Sequence, residues 1–214
     1  MKGRDTMRIL CIGDSNTWGF NPENGLCHKN RWTRVLMKLL LEDEIIEEGL
    51  NGRTFNFVDP FHKERCGINA LPVLLKSQQP VDLVIVMLGT NDLKSMFHAR
   101  AKMIASGAQE FIHTIKNPYW YRYHVPKVLM ISPIVLDDEI VEREGPSGDF
   151  DGESLFQSHH LAEEYEKVCQ ANQVEFMNAA QYAHASKADC IHMDEENHHK
   201  LAIAICNKIH EIHE

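Results

Sequence analysis

Short apolar runs alternate with longer amphipathic stretches along the whole chain. The apolar runs have the length of strands, and each is bounded by glycine, proline or polar residues. They cover residues 7–12, 45–49, 83–88, 127–132 and 174–177. The run 83–88 is apolar throughout, which is typical of a strand that is covered on both faces. The pattern therefore predicts five short, mostly buried strands.

Between these strands, apolar residues recur at helical spacing. The predicted helices cover residues 31–41, 69–76, 99–115, 153–170 and 195–212. Asn69 is the predicted cap of the second helix, and Gln78-Gln79-Pro80 is its predicted stop. Strands that alternate with helices in this way predict one domain over residues 1–214. We expect a doubly wound, flavodoxin-like three-layer α/β/α fold with a mostly parallel five-stranded sheet.

The connecting segments are polar and carry turn signals. The two longest loops that bear on a site are 55–66 and 134–152, and the second is acidic and rich in Gly and Pro after Glu144. We interpret residues 134–152 as a solvated loop, with a lid or an oligomer contact as the alternatives.

Composition narrows the class of protein. The chain has 214 residues, enough for one α/β domain with a full core, and its formal net charge is −9. An acidic balance argues against general nucleic-acid binding and against binding to anionic membranes. No stretch has the apolar length of a membrane span, and we expect no stable membrane association. The N-terminus lacks the apolar region of a signal peptide, so we predict a cytoplasmic protein.

Six cysteines are present, with no C-x-x-C pair and no regular spacing. Such cysteines are more often small buried hydrophobic residues than disulfides or zinc ligands. They are Cys11, Cys27, Cys66, Cys169, Cys190 and Cys206.

Polar, glycine-containing sequences follow the first three strands, at residues 13–15, 49–54 and 89–92. Each alone is typical of turn chemistry. Sites in open α/β sheets form at the carboxyl ends of the strands, so we expect the three to share one edge. Together they fit acyl transfer, which needs a nucleophile and donors for an oxyanion. Ser15 is the candidate nucleophile; its own N–H, the Gly52 N–H and the Asn91 amide are the candidate donors.

A candidate base lies just before the last helix, in Asp189-Cys190-Ile191-His192. A histidine can accept the serine proton if an acid holds its other ring nitrogen. With thirteen histidines in the chain, this pair is unremarkable alone, and the simpler interpretation of His192 is a surface loop residue. A metal cluster of His192, His198 and His199 is conceivable, but the spacing of ligands does not support it. We expect the last four histidines to be solvated or helix-capping: His198, His199, His210 and His213.

These four blocks, in this order, resemble the SGNH (GDSL-type) hydrolase family. The longer strings 13–19, 48–54 and 87–94 are similar to its arylesterase and acyltransferase branch. The resemblance implies that Ser15, Asp189 and His192 form a catalytic triad, and that Ser15, Gly52 and Asn91 form the oxyanion hole. One position departs from the pattern: Cys190 stands where a glycine is common. We expect that residue to be tolerated if its φ is negative.

The resemblance further implies that Trp18, Phe20 and Ile191 line the acyl or alcohol pocket. Lys94 and Arg53 are candidates to meet a substrate anion, although a pairing with an acidic loop residue is equally open for Arg53. Asp14 is expected to brace the turn rather than to react. Relatives in this branch often form oligomers, so we also expect a homo-oligomer.

The leading hypothesis is a serine esterase that hydrolyses small soluble acyl esters, such as short-chain carboxylic or acetyl esters, including those of carbohydrates. It would need no metal and no cofactor. Three alternatives stay open. They are a lysophospholipase or thioesterase for longer acyl chains, an enzyme that transfers acyl groups to alcohols, and a non-catalytic carbohydrate- or ligand-binding protein. A nucleotide-binding protein is a weaker alternative, because no strand is followed by G-x-G-x-x-G or a P-loop.

Overall fold

The computed structural model of the protein describes residues 6–143 and 149–213. Five strands form one sheet in the order β2-β1-β3-β4-β5, and every pairing is parallel. The strands are β1 (Arg8–Gly13), β2 (Glu44–Gly49), β3 (Leu83–Met87), β4 (Lys127–Ser132) and β5 (Glu175–Asn178). All five predicted strands are thus present, with ends that differ by at most one residue.

Seven α-helices connect and cover these strands. They are α1 (Ser15–Trp18), α2 (Trp32–Leu39), α3 (Gly67–Ser77), α4 (Ala101–Lys116), α5 (Gly152–Ser158), α6 (Leu161–Asn172) and α7 (Glu195–His213). Helices α3, α4 and α6 pack on one face of the sheet, and α2 and α7 pack on the other. The predicted three-layer α/β/α fold is confirmed.

The two hydrophobic cores explain why the strands are apolar without alternation. In β1, Leu10 and Ile12 pack in the core beneath α3, α4 and α6, whereas Ile9 and Cys11 pack beneath α2 and α7. Side chains of a strand point alternately to opposite faces, so a strand between two helical layers must be apolar at every position. The central strands are therefore rigid platforms for the loops at their carboxyl ends.

Two of the predicted helices begin or end elsewhere. The predicted helix 153–170 is two helices, α5 and α6, which are separated at His159 and His160. The ring nitrogen Nδ1 of His160 lies 2.8 Å from the carbonyl oxygen of Phe156, where the backbone leaves the first helix. Helix α3 begins at Gly67, so the expectation that Asn69 caps it is wrong. A Cβ at Gly67 would lie 2.6 Å from the carbonyl oxygen of Thr54, so the sharp entry into this helix needs glycine.

All six cysteines are free, and five of them are buried. Across the described residues, none of the helices combines the length and the apolar character needed to cross a membrane.

Candidate active site

The candidate site lies at the carboxyl ends of three neighbouring strands, β2, β1 and β3. Hydrogen bonds tie the three strand ends together. The N–H of Leu50 donates to the carbonyl oxygen of Gly13 at 3.1 Å, and the Asn91 side-chain amide donates to the carbonyl oxygen of Arg53 at 3.2 Å. The expectation that the three polar sequences share one edge is therefore correct.

Residues 13–19 form a tight turn, here called the nucleophile turn, that leads from β1 into α1. The Asp14 carboxylate accepts the N–H of Asn16 at 2.9 Å and so caps the helix, which braces the turn as expected. Gly19 ends the helix with φ +89°, a left-handed conformation that favours glycine. Ser15 is the first residue of this short helix, and its side chain faces the last loop of the chain.

The Ser15 hydroxyl is at one end of a chain of hydrogen bonds. Its Oγ lies 2.7 Å from Nε2 of His192, and Nδ1 of His192 lies 2.5 Å from Oδ2 of Asp189. The other carboxylate oxygen, Oδ1, accepts the backbone N–H groups of Ile191 and His192 at 3.0 and 2.9 Å. The structure thus brings together the three residues that the sequence analysis selected.

Asp189 is held as an anion. Burial alone would raise its pKa, but the hydrogen bond and the charge of His192, with the two backbone N–H groups, lower the pKa of Asp189 below its usual value. An ionised carboxylate at Nδ1 fixes the proton of the imidazole on that nitrogen, which leaves Nε2 free to accept the hydroxyl proton of Ser15. The arrangement can therefore activate a serine for attack on an acyl carbon.

Donors for an oxyanion lie on the second and third strand ends. Gly52 has φ +80°, and a Cβ there would also lie 2.7 Å from the Arg65 side chain, so this turn requires glycine. The amide of Asn91 donates one hydrogen to the carbonyl of Arg53, the residue after Gly52. A primary amide has a second hydrogen to offer, so Asn91 can serve an oxyanion while this bond holds it in place.

The sequence of this chain is similar to that of a known family of hydrolases. A sequence model of the GDSL-like lipase/acylhydrolase family matches residues 9–205. The chain belongs to this family. It is therefore a hydrolase of carboxylic esters, and the resemblance to SGNH hydrolases drawn from its motifs is confirmed.

Three solved structures of this GDSL hydrolase's relatives are similar over nearly the whole of both chains. A carbohydrate acetylesterase from Sinorhizobium meliloti has 32% identity and a TM-score of 0.90 over 97% of this chain and 100% of its own. The aryl esterase of M. smegmatis has 33% identity and a TM-score of 0.88 over 96% and 99%. A putative arylesterase from Agrobacterium tumefaciens has 34% identity and a TM-score of 0.87 over 97% and 100%. None of the curated proteins compared by sequence matches the chain.

Two buried acids of the GDSL hydrolase lie close together, Asp14 in the nucleophile turn and Asp92 after β3. Burial raises the pKa of Asp14 to about 6, although the N–H of Asn16, the His192 ring and the Arg53 guanidinium act against this rise. Burial raises the pKa of Asp92 to about 8, and Asp14 adds to that rise, whereas the N–H of Phe55 opposes it. Asp92 is thus mainly protonated at neutral pH.

The four residues predicted to contact the substrate differ in their exposure and in their neighbours. The Phe20 ring lies 4.6 Å from the His192 ring, centroid to centroid, at an interplanar angle of 43°. Ile191 is buried and Trp18 is partly exposed. The Lys94 ammonium pairs with Asp149 at 2.8 Å, so a substrate anion would have to compete with that carboxylate. These four roles stay predictions.

The structure gives Arg53 a role that the sequence analysis did not consider. Its side chain is buried, and its guanidinium donates to the main-chain carbonyls of Gly13, at 3.0 Å, and Glu48. Arg53 therefore joins the second strand end to the first.

Two residues of the base region differ from what the sequence analysis considered. Cys190 does not meet the condition set for its tolerance, because its φ is +67°, in the left-handed region where a glycine would be unstrained. His198 is fully buried rather than solvated, and its Nδ1 accepts the backbone N–H of Trp32 at 3.3 Å. Burial, with the charge of His28 beside it, lowers the pKa of His198 to about 3, so this ring is neutral.

Sequence analysis missed Asn16, which joins the two halves of the site. Its side chain donates to the carbonyl of Ile191 at 3.3 Å and accepts the N–H of Met193 at 3.0 Å. These partners are more than 170 residues away in sequence, and an asparagine after the serine gives no local signal of such a contact.

Metal ligands were also considered at this end of the chain. Within the described ranges, His192, His198 and His199 do not form a group of possible metal ligands, whereas Asp137, Glu139 and Cys190 place ligand atoms within 4.8 Å of one another. The Lys187 ammonium already pairs with both of those carboxylates, at 2.8 and 2.9 Å, so we assign no metal to them.

Proposed function

We propose that this GDSL hydrolase cleaves small soluble acyl esters, with acetyl and other short-chain esters of sugars and phenols as the substrate class, through an acyl-enzyme on Ser15. The observation that carries the proposal is the continuous hydrogen-bonded chain from Ser15 through His192 to Asp189, at 2.7 and 2.5 Å. A nucleophile, a base and an orienting acid in hydrogen-bond contact are what acyl transfer by a serine requires.

In the first half of the proposed reaction, Ser15 Oγ forms a bond to the ester carbonyl carbon while its proton passes to His192 Nε2. Asp189 stabilises the imidazolium that results. The carbonyl oxygen becomes an oxyanion, which the N–H groups of Ser15 and Gly52 and the amide of Asn91 bind. When the tetrahedral intermediate collapses, the bond to the alcohol oxygen breaks and that oxygen takes the proton from His192.

In the second half, water takes the place of the alcohol. It attacks the acyl carbon while His192 Nε2 accepts one of its protons. The oxyanion forms again, and the same donors bind it. Collapse breaks the bond to Ser15 Oγ, which recovers the proton, and the acid leaves. Every proton therefore moves between the substrate, water, Ser15 and His192, and the proposed route uses only this chain's own residues.

Two observations favour a small acyl group. The similarity to a carbohydrate acetylesterase extends over nearly the full length of both chains, at 32% identity. In addition, the Phe20 ring packs against the His192 ring, which places an aromatic side chain beside the reacting atoms. A small acyl group fits between such neighbours without the long apolar groove that a fatty acyl chain needs.

The test is the rate of hydrolysis of p-nitrophenyl esters from acetate to a long acyl chain, with wild type and Ser15→Ala side by side. We expect the rate to fall with chain length and to drop by about a million-fold in Ser15→Ala, which lacks the nucleophile. Ser106→Ala is the matched control, because that serine is exposed on α4 and bonds only to the carbonyl of Lys102.

Three other outcomes would contradict parts of this proposal. A rate that rises with chain length would favour a lysophospholipase or thioesterase. A Ser15→Ala variant as active as the wild type would remove Ser15 from the mechanism. Added alcohol that is acylated faster than water attacks would favour acyl transfer, and the product ratio measures it.

A further inference from the structure

A second segment of the chain docks on the loop that carries the proposed base. We call residues 186–192 the base loop and residues 137–143 the docking segment; the latter contains a 3₁₀ turn, Asp138–Glu142. The base loop has no helix or strand of its own. Two backbone hydrogen bonds lie within it: the N–H of Cys190 donates to the carbonyl of Ser186 at 2.8 Å, and the N–H of Ser186 donates to the carbonyl of His192 at 2.7 Å. Its position relative to Ser15 therefore depends on what packs against it.

The docking segment contacts the main chain of the base loop at two points. The N–H of Asp137 donates to the carbonyl of Cys190 at 3.0 Å. The guanidinium of Arg143 donates to the carbonyl of Lys187 at 2.6 Å. A side chain that bonds to a backbone carbonyl fixes the course of the loop, and not just one side chain of it.

Ion pairs join the same two segments. The Lys187 ammonium lies 2.8 Å from Asp137 and 2.9 Å from Glu139, and Arg143 lies 3.4 Å from Glu139. Two cations and two carboxylates make the cluster neutral, so it adds no net charge beside Asp189. These pairs are partly exposed, and each alone is worth little. The hydrogen bond of Arg143 to the carbonyl of Lys187, at 2.6 Å, is the side-chain link that reaches the main chain of the loop.

Cys190 is the point at which this link reaches the proposed catalytic residues. It follows Asp189 directly, it is fully buried, and its φ of +67° is strained for a residue with a side chain. Burial raises the pKa of the Cys190 thiol, and the nearby Arg143 guanidinium acts in the opposite direction. A strained residue persists only where its surroundings hold it, and here the docking segment supplies the hydrogen bond from the N–H of Asp137 to the carbonyl of Cys190.

We propose that Arg143 is a positioning residue for the base: it donates to the carbonyl of Lys187, and so holds the loop that places Asp189 and His192 in line with Ser15. The inference rests on the proposed function of His192. It concerns a residue outside the four motif blocks, and its segment also bonds to a cysteine that stands where the family pattern has glycine. Arg143 itself transfers no proton and touches no reacting atom.

The test compares Arg143→Ala and Arg143→Lys with Arg34→Ala. Arg34 is the matched control, an exposed arginine on α2 whose guanidinium pairs with Glu47 at 2.8 Å. Two kinds of measurement are made on each folded protein. Steady-state kinetics give kcat and KM for p-nitrophenyl acetate, and NMR gives the far-downfield proton resonance of the Nδ1–H that bridges His192 and Asp189. The resonance reports the geometry of the pair without any substrate.

We expect kcat to fall by about ten- to a hundred-fold in Arg143→Ala with KM nearly unchanged, because a small displacement of the base weakens the chemistry more than the binding. The bridging proton should shift or broaden. Arg143→Lys should recover part of both signals, since an ammonium can still donate to one of the two acceptors of the guanidinium, the carbonyl of Lys187 and the carboxylate of Glu139. Arg34→Ala should match the wild type.

Three results would overturn the inference. The first is a wild-type kcat together with an unchanged bridging resonance in Arg143→Ala. The second is a loss of activity that only follows the loss of folded protein, with a normal resonance from the fraction that remains folded. The third, if Arg143→Ala does not fold, is a wild-type resonance in Arg143→Lys with equal kcat. If instead Ser15→Ala stays active, the proposed function fails, and the resonance still decides the role of Arg143.

Discussion

The nucleophile turn and the base loop meet at a hydrogen bond of 2.7 Å, but different kinds of contact hold them. The nucleophile turn follows the strand β1, and its shape comes from its own residues: the carboxylate cap of Asp14 and the left-handed Gly19. The base loop follows no strand directly. It is held by residues that are distant in sequence, namely Asn16, Asp137 and Arg143.

This difference separates two ways to place a reactive group. A turn on a central strand is positioned by the sheet, which is buried on both faces and hard to deform. A loop without secondary structure is positioned by long-range contacts, so substitutions far from the chemistry can move it. We therefore expect the base side of the site to be the more sensitive to remote changes, and the nucleophile side to be sensitive mainly to its own residues.

The largest effect we predict within this comparison is that of Asp189→Asn. An amide at this position favours the wrong tautomer of His192, so the ring offers N–H and not a lone pair to Ser15. We expect kcat for p-nitrophenyl acetate to fall by about ten-thousand-fold with the protein still folded. The matched control is Glu42→Gln, an exposed acid-to-amide change outside the site that should leave the steady-state kinetics unaltered. Comparable kinetics for both variants would mean that Asp189 does not orient the base.

Next in size is Asn91→Ala, which removes one oxyanion donor from the strand side. Loss of such a donor costs about a hundred- to a thousand-fold in kcat. Because the bond of Asn91 to Arg53 also ends, circular dichroism and a thermal melt must accompany the steady-state kinetics. A folded Asn91→Ala enzyme with near-normal turnover would exclude Asn91 from the oxyanion hole.

The sequence predicts the nucleophile turn better than the base loop, for a physical reason. Glycines and a capping acid around Ser15 act within a few residues, so their spacing reveals the turn. The contacts of the base loop join residues that are dozens to more than 170 positions apart, and no local pattern encodes them. Asn16 and Arg143 were therefore missed, although Asp189 and His192 were found by the spacing of the motif.

The same reason explains why the surroundings of Cys190, His198 and Arg53 were not predicted. A positive φ, a fully buried histidine and an arginine turned toward main-chain carbonyls all result from packing among distant elements. The central strands β1, β3 and β4, in contrast, were readable as apolar runs, because burial on both faces leaves a signal in the strand itself. The break between α5 and α6 was missed because both helices have apolar residues at compatible spacing.

The two regions also differ in the ionisation of their acids. Asp189 of the base loop is an anion, whereas Asp92, near the nucleophile turn, is mainly protonated. The pKa of Asp92 is about 8 in the folded protein and about 4 when unfolded, so Asp92 favours folding below about pH 4 and loses this contribution as the pH rises toward about 8. Asparagine does not titrate. The stability of Asp92→Asn relative to wild type should therefore increase across that window.

Urea denaturation of both proteins at several pH values measures this change. Glu42→Gln is again the control, because an exposed carboxyl should give a nearly constant difference. A flat difference for Asp92→Asn as well would mean that Asp92 is ionised in the folded protein, and the contrast between the two acids would be lost.

The smallest effect we predict isolates the strain of the base loop. Cys190→Ala keeps a side chain at φ +67°, whereas Cys190→Gly does not, so the glycine variant should be about 1 kcal/mol more stable than the alanine variant. In a helix, glycine in place of alanine is destabilising, so Ala162→Gly in α6 should lower the free energy of unfolding by about 1 kcal/mol. Urea denaturation measures the difference between glycine and alanine at both positions. Greater stability of Cys190→Ala would show that this position carries no left-handed strain.

The most direct measurement of the central claim, that Ser15, His192 and Asp189 act as one unit, is labelling by a fluorophosphonate with the modified residue located by mass spectrometry. We predict a single adduct on Ser15 in the wild type, none in Ser15→Ala, and much slower labelling in His192→Ala and Asp189→Asn, because the hydroxyl then lacks its base. An adduct on another residue, or equal labelling rates in the wild type and His192→Ala, would contradict the account.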